Sequence, residues 1–182
     1  MLTEIRWHGR GGQGAVTAAE LTAYASVIRG LYAIAFPEFG AERRGAPVTA
    51  YNRISTKVIY DRSPIENPDI VVILDPSMVN LETVRGLKEG GYVVVNTVKK
   101  DPELKAIFGE RYRVAYVNAT AIAMEVFRLP IVNTAMIAAL AAATGVVDLD
   151  SILEAVRARF SARVASLNEQ VIRRAYELTE VM

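Results

Sequence analysis

Gly9, Gly11 and Gly14 stand at G-x-G-x-x-G spacing inside Glu4 to Arg29, a stretch that reads as strand, glycine turn and helix. The first glycine permits a tight turn, the second lets backbone approach a ligand, and the third lets the helix sit against the strand. If Ala15 to Arg29 is the helix, its unpaired first N–H groups and the positive end of its dipole face the loop, which favours a phosphate there. The spacing therefore predicts an anion site at residues 9–14. The competing reading is a close strand-to-helix turn that holds no ligand. A Walker A loop is excluded, because Gly14 is followed by Ala15, Val16 and Thr17 rather than Gly-Lys-Ser/Thr. Nicotinamide binding is disfavoured: a dinucleotide site wants an acid at the end of the second strand, and the nearest carboxylate, Glu38, lies beyond Pro37.

The rest of the chain repeats the alternation. Leu31 to Phe36 reads as a second strand, and Ile70 to Leu74 is a continuous apolar run of the kind found in a parallel strand covered on both faces. Tyr92 to Asn96 and Arg113 to Val117 read as further strands. Asn80 to Lys88, Pro102 to Phe108 and Ala121 to Arg128 have helical spacing. Val48 to Ile54 and Lys57 to Tyr60 read as a hairpin inserted into this pattern. The C-terminal part is helical, with Asn133 as N-cap of a helix apolar all round, Ser151 to Glu154 as a capping box, and Arg163 to Val181 as a long amphipathic helix. Alternation of this kind predicts the α/β class: one doubly wound, mostly parallel Rossmann-like sheet with a small hairpin insertion and a helical C-terminus, forming a single domain over residues 1–182.

A chain of 182 residues is long enough to bury roughly 70% of the surface its unfolded form exposes. The formal charge is only +1, with bases scattered among acids, so no footprint for nucleic acid is present. There are no cysteines, which excludes disulfides, a thiolate nucleophile and cysteine-ligated zinc or iron–sulfur clusters within this chain. The N-terminus lacks the basic and apolar regions of a signal peptide, and Ile131 to Val147 contains Asn133 and Thr134 and is broken by Gly145, too short and too polar for a membrane span. A cytoplasmic protein without a membrane partner is expected. Hydrophobic residues make up 52%, slightly above the usual range of about 45–50%, which suits surface buried against another chain and a generous core nearly equally.

Other candidate positions carry two readings each. Pro37 to Pro47 is a loop with paired Arg43 and Arg44 in its middle, which either hold an anion or acidic partner or sit solvated beside Glu38 and Glu42. Asp75 lies at the C-terminal end of a central strand, where ligands gather in open α/β sheets; the reading favoured over a ligand role is a turn former and helix start before Pro76. His8, the only histidine, ends the first strand either beside a ligand or packed within the strand, and with no neighbouring ligand motif it makes no metal site. No Gly-x-Ser-x-Gly elbow is present. The chain offers a binding loop without a catalytic acid, base or nucleophile.

Two long motifs then carry a resemblance. His8-Gly9-Arg10-Gly11-Gly12-Gln13-Gly14-Ala15-Val16-Thr17-Ala18-Ala19-Glu20 and Ala35-Phe36-Pro37-Glu38-Phe39-Gly40-Ala41-Glu42-Arg43-Arg44-Gly45-Ala46-Pro47-Val48 resemble signatures of the gamma subunit of 2-oxoacid:ferredoxin oxidoreductases, the pyruvate and 2-oxoisovalerate branch. Asn67-Pro68-Asp69, Asp75-Pro76, Val95-Asn96-Thr97 and Asn133-Thr134-Ala135-Met136 extend the similarity over nearly the whole chain. The resemblance implies a cytoplasmic multisubunit enzyme that converts a 2-oxoacid and coenzyme A to acyl-CoA and carbon dioxide and reduces ferredoxin. Its partners are alpha, beta and delta subunits, with thiamine diphosphate and the iron–sulfur clusters on those other chains. It further implies that this chain has no catalytic residue of its own and lies near the coenzyme A channel. Gly11, Gly12, Gln13 and Gly14, with Arg44 and Asn133, are then assigned to the phosphate or pantetheine side of coenzyme A, and Arg43 equally to an interface. The alternatives are a purely structural assembly subunit and a stand-alone nucleotide-binding protein.

Overall fold

The computed structural model describes residues 1–38 and 44–182. The glycine-motif stretch forms strand β1 (Leu2–Arg10) and helix α1 (Ala15–Ile28). Strands β2 (Tyr32–Pro37), β3 (Pro47–Ser55), β4 (Ile70–Ile73), β5 (Tyr92–Asn96), β6 (Arg113–Val117) and β7 (Glu180–Val181) complete one sheet, ordered β2-β3-β1-β4-β5-β6-β7. The central strands β1, β4, β5 and β6 are mutually parallel, while β3 runs antiparallel to both β1 and β2, and β7 antiparallel to β6. The expected α/β class with a parallel central sheet is observed.

Helices α2 (Asp101–Phe108), α3 (Ala119–Phe127), α4 (Asn133–Thr144), α5 (Leu149–Arg159) and α6 (Ala162–Leu178) follow the strands. One face of the sheet carries α1, α3, α4, α5 and α6 over Ile5, Trp7, Ile54, Val72 and Val94. The other carries α2 and the turns at 79–87 over Val71, Ile73, Val93 and Val95. Alternate residues of β4 thus enter opposite cores, and all four are buried, each worth roughly 1.5–3 kcal/mol when fully removed from water. The continuous apolar run arises from this two-sided cover. Helix α4 is buried all round because α6, α1 and strands β5 and β6 pack against it; its apolar surface belongs to the core.

Several expectations are corrected. Residues 57–60 form no strand, and β3 instead runs for nine residues between β2 and β1. The first arm of the predicted hairpin forms as β3, but its return arm is absent because β1 pairs with residues 47–55 and β2 with residues 50–55, which leaves no free edge where the return strand would start. Asn80 to Lys88 forms turns rather than an α-helix, with bonds such as Leu87 N–H to Val84 O at 3.0 Å. Gly86 there has φ +83°, outside helical space, and an added Cβ would meet Glu66 O at 2.1 Å. Asn133 is the first helical residue of α4 rather than its N-cap, its Oδ1 accepting from Thr134 N–H at 2.8 Å. Asp148 caps α5 three residues ahead of the expected Ser151, whose N–H it accepts at 2.8 Å. Finally α6 ends at Leu178, and Glu180–Val181 turns back onto β6, where the Tyr116 hydroxyl donates to Glu180 at 2.9 Å.

Candidate functional site

Strand β1 is followed through α1 by β2 on one side, and β4 lies on the other, so the strand order reverses between β1 and β4. In open α/β sheets the crevice outside the carboxyl ends at such a reversal is where ligands bind. Two short loops flank it: residues 11–14 after β1 and residues 74–77 after β4. The Leu74 N–H donates to His8 O at 2.8 Å and fixes their separation.

Within the first loop, Gly11 N–H donates to Ala46 O at 2.8 Å and Gly45 N–H to Gly11 O at 3.3 Å, tying the loop to the chain entering β3. Gly12 has φ +94°, and nothing among the described residues lies within 4 Å of the place a Cβ would occupy, so its backbone is bare on that side. Gly14 has φ +84°, and an added Cβ would lie 2.6 Å from Asn133 Nδ2; only glycine lets α1 start this close to α4. As N-cap, Gly14 supplies no side-chain hydrogen bond to α1, and the first turn contains no acid. Among the described residues no partner receives the N–H groups of Ala15, Val16 and Thr17. They open with Arg10, Gly11, Gly12 and Val48 into a cavity of about 210 Å³. The arrangement offers converging N–H donors, the positive helix end and a guanidinium, which suits one or two phosphate groups.

Asp75 closes the crevice from the second loop. Its Oδ1 accepts from Ser77 N–H at 2.8 Å and Ser77 Oγ at 2.5 Å, and its Oδ2 accepts from Gln13 Nε2 at 2.6 Å. Gln13 Oε1 in turn accepts from Arg10 N–H at 2.7 Å. The Arg10 guanidinium donates to Ser77 Oγ at 3.1 Å and to Gly45 O at 3.3 Å, and approaches Asp75 to 3.8 Å. Burial alone would raise the Asp75 carboxyl, but the bonds from Ser77 and Gln13 and the charge of Arg10 outweigh it and hold the group below its ordinary range. Of the two sequence readings of Asp75, the turn former is observed, and its side chain is not among those lining the cavity.

The predicted positions are distributed around this cavity. Gly11, Gly12 and Gly14 line it. Gln13 does not, because its carboxamide oxygen is engaged by Arg10 N–H within the loop and its nitrogen by Asp75 on the facing loop. Asn133 is buried behind Gly14, and Arg44 is exposed beside Gly11, to which its backbone bridges. Arg43 lies outside the described residues. Arg10, Val16 and Thr17 line the cavity without having been singled out; Arg10 carried a signal, being the one charged residue inside the glycine motif.

A sequence profile described as pyruvate ferredoxin/flavodoxin oxidoreductase matches residues 4–178. The chain belongs to that family. The Pyrococcus furiosus protein named pyruvate/ketoisovalerate oxidoreductases common subunit gamma is 49% identical over 182 residues, covering 99% of this chain and 98% of that one. The Methanocaldococcus jannaschii pyruvate synthase subunit PorC is 44% identical, covering 96% of both chains. Among solved structures, the pyruvate oxidoreductase subunit PORC from Thermotoga maritima superposes with a TM-score of 0.88 at 40% identity, covering 99% of this chain and 98% of that one. Within the pyruvate ferredoxin/flavodoxin oxidoreductase family this chain is therefore of the gamma, or PorC, type.

Two other polar places in this family member have a different character. His8 accepts from Arg6 Nε at 2.9 Å through Nε2, and burial together with the Arg6 charge pushes its pKa down to about 4. It is a neutral acceptor packed on the strand, away from the cavity lining. A larger cavity of about 630 Å³ lies under the amino ends of β1, β4 and β5, between the Arg29–Asp148 and Lys88–Asp69 ion pairs. Its lining glycines Gly90 and Gly91 lead into strand β5 rather than into a helix, and the helices that reach it do so with their carboxyl ends, a setting opposite to the one anions prefer. No helix among the described residues is long and apolar enough to cross a membrane.

Proposed function

We propose that this chain is the gamma subunit of a cytoplasmic pyruvate synthase-type assembly. That assembly oxidatively decarboxylates pyruvate or a branched 2-oxoacid with coenzyme A to acyl-CoA and carbon dioxide, and ferredoxin takes the electrons. Alpha, beta and delta subunits are its partners. With no cysteine in this chain, the thiolates that hold iron–sulfur clusters come from those partners. Thiamine diphosphate, also on a partner, supplies the carbanion stabilisation that decarboxylation requires. This chain contributes no catalytic group and instead receives the phosphate end of coenzyme A at the glycine loop. Gly11, Gly12 and Gly14 give the close backbone approach, Gln13 shapes the loop, Arg44 meets the anion from the loop edge, and Asn133 supports Gly14 from behind.

The observation that carries this reading is the uncapped amino end of α1, opening with Arg10 into a cavity of about 210 Å³. Its size admits the phosphates but not the whole of coenzyme A, so the remainder extends toward a partner subunit. Thr17→Glu tests it in the assembled enzyme. A carboxylate in the first helical turn favours the helix dipole, so folding is undisturbed, while it repels an anion in the cavity. The apparent Michaelis constant for coenzyme A should rise about tenfold or more, with the turnover number at saturating coenzyme and subunit composition retained. An unchanged Michaelis constant in an intact complex sinks the coenzyme contact. It leaves the purely structural role, which the full engagement of Gln13 by Arg10 and Asp75 favours.

A further inference from the structure

The donors and acceptors around Asp75 can be arranged in only one way. Arg10 N–H is a fixed backbone donor, so the group it meets at 2.7 Å must be Gln13 Oε1, which turns Gln13 Nε2 toward residue 75 at 2.6 Å. Ser77 N–H is a second fixed donor, 2.8 Å from Oδ1 of the same residue. Residue 75 must therefore accept on both oxygens, and the ionised carboxylate of aspartate does this. Asparagine is nearly the same size but would put a donor against a donor: its amide group would face Gln13 Nε2, or, flipped, Ser77 N–H. If Gln13 flipped instead, its own amide would face Arg10 N–H. Every arrangement leaves one repulsive contact.

We infer that Asp75 is a positioning residue for the anion cavity, acting through Gln13 on the glycine loop and through Ser77 on Arg10, and reaching no ligand itself. One carboxylate on the loop after β4 sets the shape of the loop after β1, so the two walls of the crevice are held in register. One end of the brace fixes the Arg10 backbone, from which the left-handed turns of Gly12 and Gly14 follow. The other fixes the Ser77 hydroxyl, which donates to Asp75 at 2.5 Å and accepts from Arg10 Nη2 at 3.1 Å, and so holds the cavity's guanidinium in place. The ligand is a phosphate-bearing coenzyme, so this inference rests on the coenzyme reading above.

The pairing makes its own control. In the double variant Gln13→Glu, Asp75→Asn the roles are exchanged. The amide introduced at position 75 would accept from Ser77 N–H through its oxygen and donate through its nitrogen to the carboxylate introduced at position 13. That carboxylate would accept from both the amide and Arg10 N–H. Every hydrogen bond of the brace is again complementary, at unchanged net charge, and only the 3.8 Å approach of Arg10 to residue 75 loses its carboxylate. In the assembled enzyme, Asp75→Asn should raise the calorimetric dissociation constant for coenzyme A about tenfold. Turnover at saturating coenzyme should hold, and the double variant should recover most of the loss. If Asp75→Asn binds like the parent while Thr17→Glu binds weakly, the inference falls and the coenzyme site stands. If neither binds weakly, both fall. Should Asp75→Asn fail to assemble, an assembled double variant with near-parental binding supports the inference, and a double variant that also fails to assemble overturns it.

Discussion

On one face of the sheet, α1, α3, α4, α5 and α6 close over Ile5, Trp7, Val72 and Val94 with apolar contacts. The face behind β1 and β3 is covered differently, since residues 57–68 cross it without forming helix or strand. Arginines fasten that segment. Arg53, with only 5% of its side chain exposed, pairs with Glu4 at 2.8 Å and donates to Asp61 O at 3.1 Å and Ser63 O at 2.8 Å. Arg6 donates to Ile65 O, Glu66 O, Thr83 O and Arg85 O at 2.5–3.4 Å. A helix satisfies its own carbonyls and needs only an apolar stripe to dock, whereas irregular chain leaves carbonyls to be satisfied, and a guanidinium with five donors collects several at once. Packing thus holds the helical face and the other face under β4 and β5, while behind β1 and β3 a small apolar cluster of Phe36, Tyr51 and Ile65 is supplemented by charge-assisted hydrogen bonds.

If that contrast is right, the largest loss should come from the helical face and should be global. Leu140→Ala, at a fully buried position of α4, is expected to cost about 3–4 kcal/mol, seen as one cooperative denaturant transition with its slope unchanged. Arg53→Ala should cost somewhat less, about 2–3 kcal/mol, because Glu4 and the carbonyls of Asp61 and Ser63 lose their partner. It should also make residues 57–68 the first site of limited proteolysis while the helices stay protected. Equal protection of that segment in Arg53→Ala and Leu140→Ala would erase the distinction.

A third effect is absent near neutral pH and appears only on acidification. His8 lies on the fastened face, and its pKa of about 4 is below the ordinary value of 6.5. An unfolded chain therefore binds a proton on His8 between those two values when the folded chain does not. Stability is fully present above about pH 6.5 and is lost as pH falls toward 4, by at most roughly 1 kcal/mol per pH unit for this one group. His8→Gln, whose carbonyl still accepts from Arg6, should flatten that part of the pH–stability curve. A curve of the same slope in both proteins would show that His8 is not buried neutral.

Within the family, the same contrast explains which parts of the protein could be read in advance. The run Ile70 to Leu74, the switch to helix after Gly14 and the stripe of α6 are patterns of apolar periodicity and glycine placement, and each forms the element expected. The expected helix at 80–88 did not form, because Gly86 takes φ +83° against Glu66 O and the turn is pulled to Arg6 through the Thr83 and Arg85 carbonyls. Backbone carbonyls leave no mark in a sequence. Likewise β3 forms the first arm of the expected hairpin but pairs with β1 and β2 rather than with a return arm at 57–60, since a choice between strand partners is settled by which edges are free in three dimensions.

At the site, the glycine motif by itself determined a tight turn, a close helix start and a helix terminus without an acidic cap, because these follow from residue types at fixed spacing. Tertiary structure alone decided that Asp75 reaches Gln13 across 62 positions of chain, that Arg10 rather than Gln13 faces the cavity, and that Asn133 stands behind Gly14. Periodicity and turn chemistry are local and are written along the chain; the direction of a hydrogen bond between two loops depends on where folding brings their donors and acceptors, and that is fixed only when the sheet is assembled.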